Sequence, residues 1–178
     1  MTDLSEVRIE TQRLRLVPLS MDYADAIFVE FSDEVTTLMY PRSPEKIEET
    51  REFISAMVDL LEKGEHLPCA ILDRATGQFL GCAGLHELTS DRPEIGVWLK
   101  ISAHGNHLGY EAVSGLVEWA RQNLTCKSLR YPVDERNTPS RRIPERLGGT
   151  ITGQSVETSM SGRELRLVEY EIPLAKAG

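Results

Sequence analysis

The stretch that decides the fold reads "EIGVWLKISAHGNHLGYEAVSGLVEWA" and spans residues 94–120. It begins with an apolar segment, 94–101, which predicts a strand. Apolar residues then recur at helical spacing, which predicts a helix over about 108–123. Between them lies a turn that contains Gly105 and Gly109, and glycines let a backbone turn tightly and approach a ligand closely. This order is typical of an anion site, because the free amides at a helix start attract negative charge.

Two other interpretations of this turn remain open from the residues alone. The turn can be structural only, because two glycines before a helix are a weak signal for a ligand. It can also bind a metal, because His104 and His107 form an HxxH pair and Glu111 lies one turn beyond His107. A catalytic zinc needs three well-placed protein ligands, and no other His or Cys is near in sequence, so we expect no metal. A dinucleotide site would need a GxGxxG pattern, which the turn lacks.

The length and composition indicate one domain spanning residues 1–178. No apolar run approaches the roughly 18 residues of a transmembrane helix, and the N-terminal "MTDLSEVRIE" lacks the apolar core of a signal peptide. Cys69, Cys82 and Cys126 are odd in number and form no CxxC pair. This usage predicts reduced thiols that pack as small hydrophobic side chains. We therefore expect a cytoplasmic protein without a membrane partner.

Charge is distributed unevenly along the chain. The net charge of −8 argues against nucleic acid as a partner, because such binding places basic residues against phosphates. Residues 21–65 hold 12 acidic and four basic side chains, whereas residues 127–148 hold six basic and three acidic ones. These can be two solvated faces. Alternatively, they form an acidic side for a cationic partner and a basic side for an anionic one.

The first third of the chain predicts one strand and two helices. Alternation over 7–19 predicts the strand, and Ser20 is placed to cap the first helix. Ser43 is expected to cap a second helix that has Pro44 at its first position and ends at Gly64.

The remaining chain predicts a mixed sheet. Its elements are a hairpin of 66–73 and 78–88, a strand at 128–133, a helix at 137–147 that Pro144 should kink or shorten, and a final hairpin of 150–159 and 163–172. The unit from 94 to 133 is a strand, a helix and a strand. Its two strands should be parallel and connected by a right-handed crossover. The fold class is therefore α/β, with helices on both faces and a ligand crevice at the carboxyl end of the strand entering residue 101.

Four segments together carry a resemblance to a known family. They are "IETQRLRLVPL" (9–19), "MYPRSPEKIEET" (39–50), the stretch at 94–120 and "NTPSRRIPERLGG" (137–149). The sequence resembles the GCN5-related N-acetyltransferases over about residues 7–172, and is most similar to their ribosomal-protein N-terminal acetyltransferase branch. The resemblance implies a mixed, mostly antiparallel central sheet with helices on both faces and a splayed parallel strand pair that binds acetyl-CoA.

The resemblance also implies which residues bind this co-substrate. The family's loop has Gln or Arg, two residues, Gly, one residue, then Gly or Ala, and His104 and Gly109 take the first and last positions. His107 stands where the family has glycine. We expect its ring to turn outward; otherwise it weakens the pyrophosphate site or contacts phosphate directly. The residues expected to contact the co-substrate are Leu99, Ile101, His104, Gly105, Asn106, His107, Gly109, Tyr110, Asn137 and Arg141.

Three residues are candidates for the chemistry that the resemblance implies. An amine that attacks a thioester directly needs a base, an oxyanion donor and an acid near sulfur. Glu94 resembles the family's strand glutamate and is the first candidate base, unless it is only an exposed strand-end carboxylate. His86, in "GLHEL", is the second candidate, unless it is a packed or surface histidine. Ser140 matches the family serine near the thiolate, with helix-start hydrogen bonding as its other role.

The acceptor is expected to be a primary amine, of a protein N-terminus or of a small molecule. The acidic stretch 21–65 corresponds to the family's acceptor side and favours cationic acceptors such as a protein N-terminus, a polyamine or an aminoglycoside. The alternative is a non-catalytic module of the same fold that binds or senses acyl-CoA, which the presence of His107 favours. The sequence leaves the oligomeric state open between a monomer and a homodimer.

Overall fold

The computed structural model describes residues 3–175, which fold into one eight-stranded sheet with helices packed against it. The strands are β1 (Ile9–Glu10), β2 (Leu14–Pro18), β3 (Leu67–Asp73), β4 (Phe79–His86), β5 (Glu94–Leu99), β6 (Ser128–Asp134), β7 (Thr150–Thr158) and β8 (Glu164–Pro173). The α-helices are α1 (Ala24–Glu30), α2 (Asp33–Thr36), α3 (Ile47–Glu62), α4 (Leu108–Asn123) and α5 (Thr138–Arg146).

The strand order is β1-β2-β3-β4-β5-β6-β8-β7. All neighbouring strands run antiparallel except β5 and β6, which are parallel and joined through α4. This arrangement confirms the predicted mixed, mostly antiparallel α/β fold. The predicted first strand over 7–19 is divided by a turn into β1 and β2. From β3 onward, the strands and helices begin and end within two residues of the predicted positions.

Helices cover both faces of the sheet. On one face, α4 buries Val113 and Leu116 in a cluster that includes Ile95 of β5. On the other face, Ile27 of α1 and Ile54 of α3 form a second cluster, against which Trp98 of β5 packs. The two faces separate in this way because successive residues of a strand point to opposite sides. Within residues 3–175, none of the helices has the length and hydropathy of a membrane-spanning segment.

The predicted cap of the second helix is wrong. The helix α3 begins at Ile47 and not at Pro44, so Ser43 lies outside its first turn. The Ser43 hydroxyl instead donates to the carboxylate of Asp33. At the helix entry, the Glu49 side chain accepts backbone N–H bonds from the two residues before the helix, at 2.6 and 3.4 Å. A carboxylate of the first turn therefore caps this helix, which the serine and proline pattern did not predict.

The parallel pair of β5 and β6 separates toward its carboxyl ends. The two strands are in register at Glu94 and Arg130 only. Beyond that point β5 continues to Leu99 paired with β4, and β6 continues to Asp134 paired with β8. A gap therefore opens between β5 and β6 at the position where the sequence predicts a ligand crevice.

The buried carboxylate of Asp134 fixes the end of β6 beside this gap. It accepts hydrogen bonds from the backbone N–H of Arg136 and Arg166, each at 2.9 Å, and from the Arg136 guanidinium at 2.8 Å. The bond from the Arg136 side chain is the largest cause that lowers the pKa of Asp134 to about 2. Because Arg166 lies in β8, these bonds tie the exit of β6 to its neighbouring strand.

We expect Asp134→Asn to reduce the free energy of unfolding by about 2 kcal/mol at pH 7, because the bonds to an ionised acceptor are lost. The lowered pKa means that this stabilisation is present above the ordinary aspartate pKa and is lost as the pH falls toward 2. Urea unfolding of the wild type and of Asp134→Asn between pH 7 and pH 2 measures this difference in stability. Equal stability at pH 7, or equal pH dependence, would contradict the assignment.

Candidate active site

The loop before α4 follows the tight path that its glycines allow. Gly105 has a φ of 81°, and His107, the residue before the helix, has a φ of 59° and a ψ of 19°. Both residues lie in the left-handed region, which glycine adopts freely and other residues adopt at a cost of about 1 kcal/mol. His107 therefore has a backbone conformation that suits the glycine of the family's loop pattern.

The start of α4 can hold an anion. The first backbone N–H groups of a helix have no acceptor within the helix, and α4 is 16 residues long, so its N-terminus carries a partial positive charge. A β-carbon added to Gly109 would lie 3.2 Å from Cδ1 of Ile143 in α5. A glycine at this position therefore lets the first turn of α4 pack closely against α5.

His104 folds back on the end of β5. Its Nε2 lies 2.8 Å from the carbonyl oxygen of Leu99, and its backbone N–H donates to the carbonyl of Ile101 at 3.0 Å. Leu99 and Ile101 are the two residues at or just after the end of β5 that are expected to contact the co-substrate. Because His104 is hydrogen-bonded to both carbonyl oxygens, the backbone N–H groups of Leu99 and Ile101 are the groups that such a ligand would contact.

The contacts of Glu111 argue against the HxxH interpretation. Its carboxylate accepts from the Thr11 hydroxyl at 2.6 Å and from the backbone and side chain of Arg13, each at 2.7 Å. Residues 3–175 contain no group of three His, Cys, Asp or Glu side chains placed to hold a metal ion. His104, His107 and Glu111 therefore do not form the three-ligand set that the motif would need.

A cavity of about 580 Å³ lies beside the loop, and two arginines border it. Its lining includes Arg13, His107, Tyr110 and Arg146. The Arg146 guanidinium lies 3.8 Å from the centre of the Tyr110 ring, a cation–π contact. Neither arginine was predicted from the sequence as a site residue. Arg146 lies in the basic stretch of α5, and such a stretch only weakly predicts an anion site. Arg13 lies in the turn between β1 and β2, and only the fold brings it to this cavity.

Asn137 and Arg141 have protein partners at the start of α5. Asn137 is the N-cap residue, and its side-chain oxygen accepts from the backbone N–H of Ser140 at 3.3 Å. Arg141 donates to the Tyr170 hydroxyl at 3.0 Å and to the Glu135 carbonyl at 3.1 Å. Their roles in ligand binding stay predictions, and both side chains have structural contacts as well.

Ser140 is paired with a tyrosine that was not predicted from the sequence as a site residue. The hydroxyl oxygens of Ser140 and Tyr131 are 2.7 Å apart. Tyr131 is buried in β6, and burial is the main cause that raises its pKa to about 12. The tyrosine therefore keeps its proton at neutral pH, and the hydroxyl pair lies on the β6 side of the gap.

Glu94 is the first residue of β5 and faces a second cavity. The cavity has a volume of about 490 Å³ and is also lined by His86. One carboxylate oxygen of Glu94 lies 2.6 Å from the Arg130 guanidinium. Burial raises the pKa of Glu94 above its ordinary value, and Arg130 opposes this shift. A partly buried carboxylate with a raised pKa is a stronger proton acceptor than an exposed one.

His86 lies directly across from Glu94 in the β4–β5 pairing. Its Nδ1 is 3.1 Å from Nδ1 of His66. Burial, and secondly His66, lower the pKa of His86 to about 4, so its ring is neutral at pH 7. The structure thus brings both candidate bases to one cavity. His66 was not predicted as a neighbour of His86, because only the pairing of β3 with β4 brings the two rings together.

The acidic stretch 21–65 supplies one wall of this cavity through its apolar residues. Ile27, Phe31, Phe53 and Met57 line the cavity, and Glu49 is the one described acid of the stretch among the lining residues. The expected acidic wall is therefore corrected to an apolar one, because the amphipathic helices α1 and α3 turn their apolar sides inward.

The chain matches known proteins over most of its length. The family model of the acetyltransferase (GNAT) domain matches residues 13–150. A curated relative, the uncharacterised N-acetyltransferase YoaA of Bacillus subtilis (strain 168), is 29% identical over 143 residues, which are 79% of this chain and 81% of that protein.

Solved structures share the fold at low identity. RimL, a ribosomal-protein alpha-N-acetyltransferase in complex with coenzyme A, has a TM-score of 0.80 at 16% identity, covering 94% of this chain and 98% of that one. Spermidine N-acetyltransferase from Vibrio cholerae, in complex with CoA and spermine, has a TM-score of 0.80 at 15% identity, covering 93% and 98%. Because the family model matches well over half of the chain, this protein belongs to the GNAT acetyltransferases and is an N-acetyltransferase, of a family that moves the acetyl group of acetyl-CoA to an amine.

Proposed function

We propose that this protein transfers the acetyl group of acetyl-CoA directly to a primary amine, and that it belongs to the ribosomal-protein N-terminal acetyltransferase branch of the family. One observation carries the proposed transfer: Glu94 lines the cavity of about 490 Å³ and also marks the point where β5 separates from β6. An amine in the cavity and a thioester in the gap would meet beside this carboxylate.

The loop and the gap suit the two parts of the co-substrate. The amides at the start of α4 would bind the pyrophosphate, with Arg13 and Arg146 beside it for the remaining phosphate. The amides of Leu99 and Ile101 would bind the pantetheine arm as an added strand would. The proposed contact residues are Leu99, Ile101, His104, Gly105, Asn106, His107, Gly109, Tyr110, Asn137 and Arg141, to which the structure leads us to add Arg13 and Arg146.

Glu94 would be the general base. The amine nitrogen attacks the thioester carbonyl carbon, the carbon–nitrogen bond forms, and the carbon–sulfur bond breaks. The nitrogen gives up one proton, which Glu94 accepts directly or through a water molecule. Arg130 keeps the carboxylate ionised and oriented from the other side, since it binds one of the two oxygens at 2.6 Å. His86 is neutral and weakly basic, so we assign it hydrogen bonding to the amine or to that water.

Ser140 would donate a hydrogen bond to the departing sulfur, which leaves as a thiolate and takes its proton from water. Its hydroxyl is 2.7 Å from that of Tyr131, which keeps its own proton and can donate a hydrogen bond to Ser140. The base and the donor to sulfur would then lie on opposite sides of the gap, Glu94 on β5 and the hydroxyl pair on β6 and α5. The direct transfer needs no covalent enzyme intermediate. Burial raises the pKa of the Cys69 thiol to about 12, so this cysteine is not a reactive thiolate at neutral pH.

We expect Glu94→Gln to lower kcat about 100-fold while the affinity for coenzyme A stays unchanged, because the amide cannot accept the proton. Thiol release from acetyl-CoA, measured with an amine panel, gives kcat, and calorimetry gives the affinity. Glu87→Gln is the matched control: it removes the same charge and also lies near Arg130, at 3.7 Å, but Glu87 does not line the cavity. Equal turnover in both variants would assign the base to His86 or to water.

The raised pKa of Glu94 sets the acid side of the pH profile. Because the base must be ionised, activity should fall as the pH decreases through a pKa above the ordinary glutamate value. We expect the midpoint of this step in kcat/KM to lie above the ordinary glutamate pKa, and we expect Glu94→Gln to abolish the step. A wild-type profile with its midpoint at or below the ordinary value would contradict the role of Glu94.

His107→Gly should keep or tighten coenzyme A binding, because glycine adopts the φ of 59° without strain and leaves the loop amides in place. Gly105→Ala, in the same loop, places a β-carbon at a φ of 81° and should weaken binding several-fold. Calorimetry with coenzyme A compares the two variants. A large loss of affinity in His107→Gly would show that the imidazole itself contacts the phosphate.

A further inference from the structure

The cavity that contains Glu94 is apolar over most of its wall. Its lining includes three aromatic side chains: Phe31 and Trp98 pack with their ring centres 4.8 Å apart and their planes tilted by 50°, and Phe53 comes from α3. Phe53 is 53% exposed, and Met160, from the turn between β7 and β8, is 56% exposed. The lining therefore extends from partly buried rings to apolar side chains that are exposed to solvent.

Charge in this cavity is sparse and paired. Among the described residues that line it, Arg42, Glu49 and Glu94 are charged. Arg42 binds Glu49 at 2.5 Å, so these two neutralise each other, and Arg130 binds one oxygen of Glu94. An acceptor with several positive charges along its length would leave all but one of them against apolar side chains, which is costly.

We propose that the acceptor is a primary amine on a short apolar skeleton that carries an aromatic ring, with the amine at Glu94 and the ring against Phe31, Phe53 and Trp98. This inference rests on the proposed function and narrows its substrate class. The volume of about 490 Å³ lies within the range of small-molecule sites and accommodates one ring with a short chain.

The apolar wall also helps the chemistry. An ammonium group that leaves water for an apolar cavity loses hydration, which favours its neutral form. Only the neutral amine can attack the thioester. The same side chains that bind the ring therefore raise the fraction of reactive amine next to Glu94.

Thiol release from acetyl-CoA tests the inference with amines that differ only in skeleton. We expect kcat/KM for 2-phenylethylamine to exceed that for ethanolamine and for 1,4-diaminobutane by about 10- to 100-fold, as burial of one ring predicts. A peptide with N-terminal phenylalanine, compared with one that begins with serine, distinguishes a protein N-terminus from a free amine as the source of the ring. Equal or faster acetylation of ethanolamine or the diamine would overturn the inference and leave the transferase function intact.

Variants at the rim of the cavity give a second test. Phe53→Ala should lower kcat/KM for 2-phenylethylamine about 10-fold relative to the diamine, and Phe53→Glu should shift the preference further toward the diamine. Val29→Ala is the control, because Val29 is 69% exposed and outside the cavity lining, and it should leave the preference unchanged. An unchanged preference in both Phe53 variants would overturn the inference.

A binding measurement separates this inference from the proposed function. Calorimetry of 2-phenylethylamine with the protein saturated in coenzyme A should show binding that Phe53→Ala weakens. Binding without thiol release from any amine would keep the assigned pocket and overturn the transferase reaction. Absence of binding together with rapid acetylation of polar amines would overturn the pocket assignment alone.

Discussion

The separation of β5 from β6 is the constraint on which the site depends. Each strand is held by its other neighbour, β5 by β4 as far as Leu99 and β6 by β8 as far as Asp134, so the two can part without losing their remaining pairing. Backbone groups that face the gap need polar partners. His104 supplies some of them from the loop itself, at the carbonyls of Leu99 and Ile101. A ligand that carries amide groups suits the backbone groups at the gap that His104 does not bind.

The gap also divides the polar side chains into two sets. Glu94 and His86 lie on the β4–β5 side, and Tyr131 and Ser140 lie on the side of β6 and α5. Burial acts on each titratable member in the direction of its neutral form: it raises the pKa values of Glu94 and Tyr131 and lowers that of His86. In the proposed reaction, one set accepts a proton from the amine and the other set donates a hydrogen bond to sulfur.

Most elements could be predicted from local pattern. The helix α4 and both predicted hairpins follow periodicity and turn residues closely. The prediction failed where two local signals compete: Ser43 and Pro44 favour a helix start, yet Glu49, bound to Arg42, caps a start at Ile47. Glu94 and Ser140 were identified beforehand from the family resemblance, and His86 from its place on the adjoining predicted strand. Their roles remain proposals.

The sequence by itself determined the strand–loop–helix unit, the fold class and the family, because apolar periodicity and glycine positions are properties of neighbouring residues. Only the tertiary structure decided the pairs that define the site: His66 with His86, Tyr131 with Ser140, and Arg13 with Glu111. It also decided that the acidic stretch presents an apolar wall to the cavity. The reason is that side-chain partners come from separate elements, and local pattern does not state which elements face each other or which side of a helix faces a ligand.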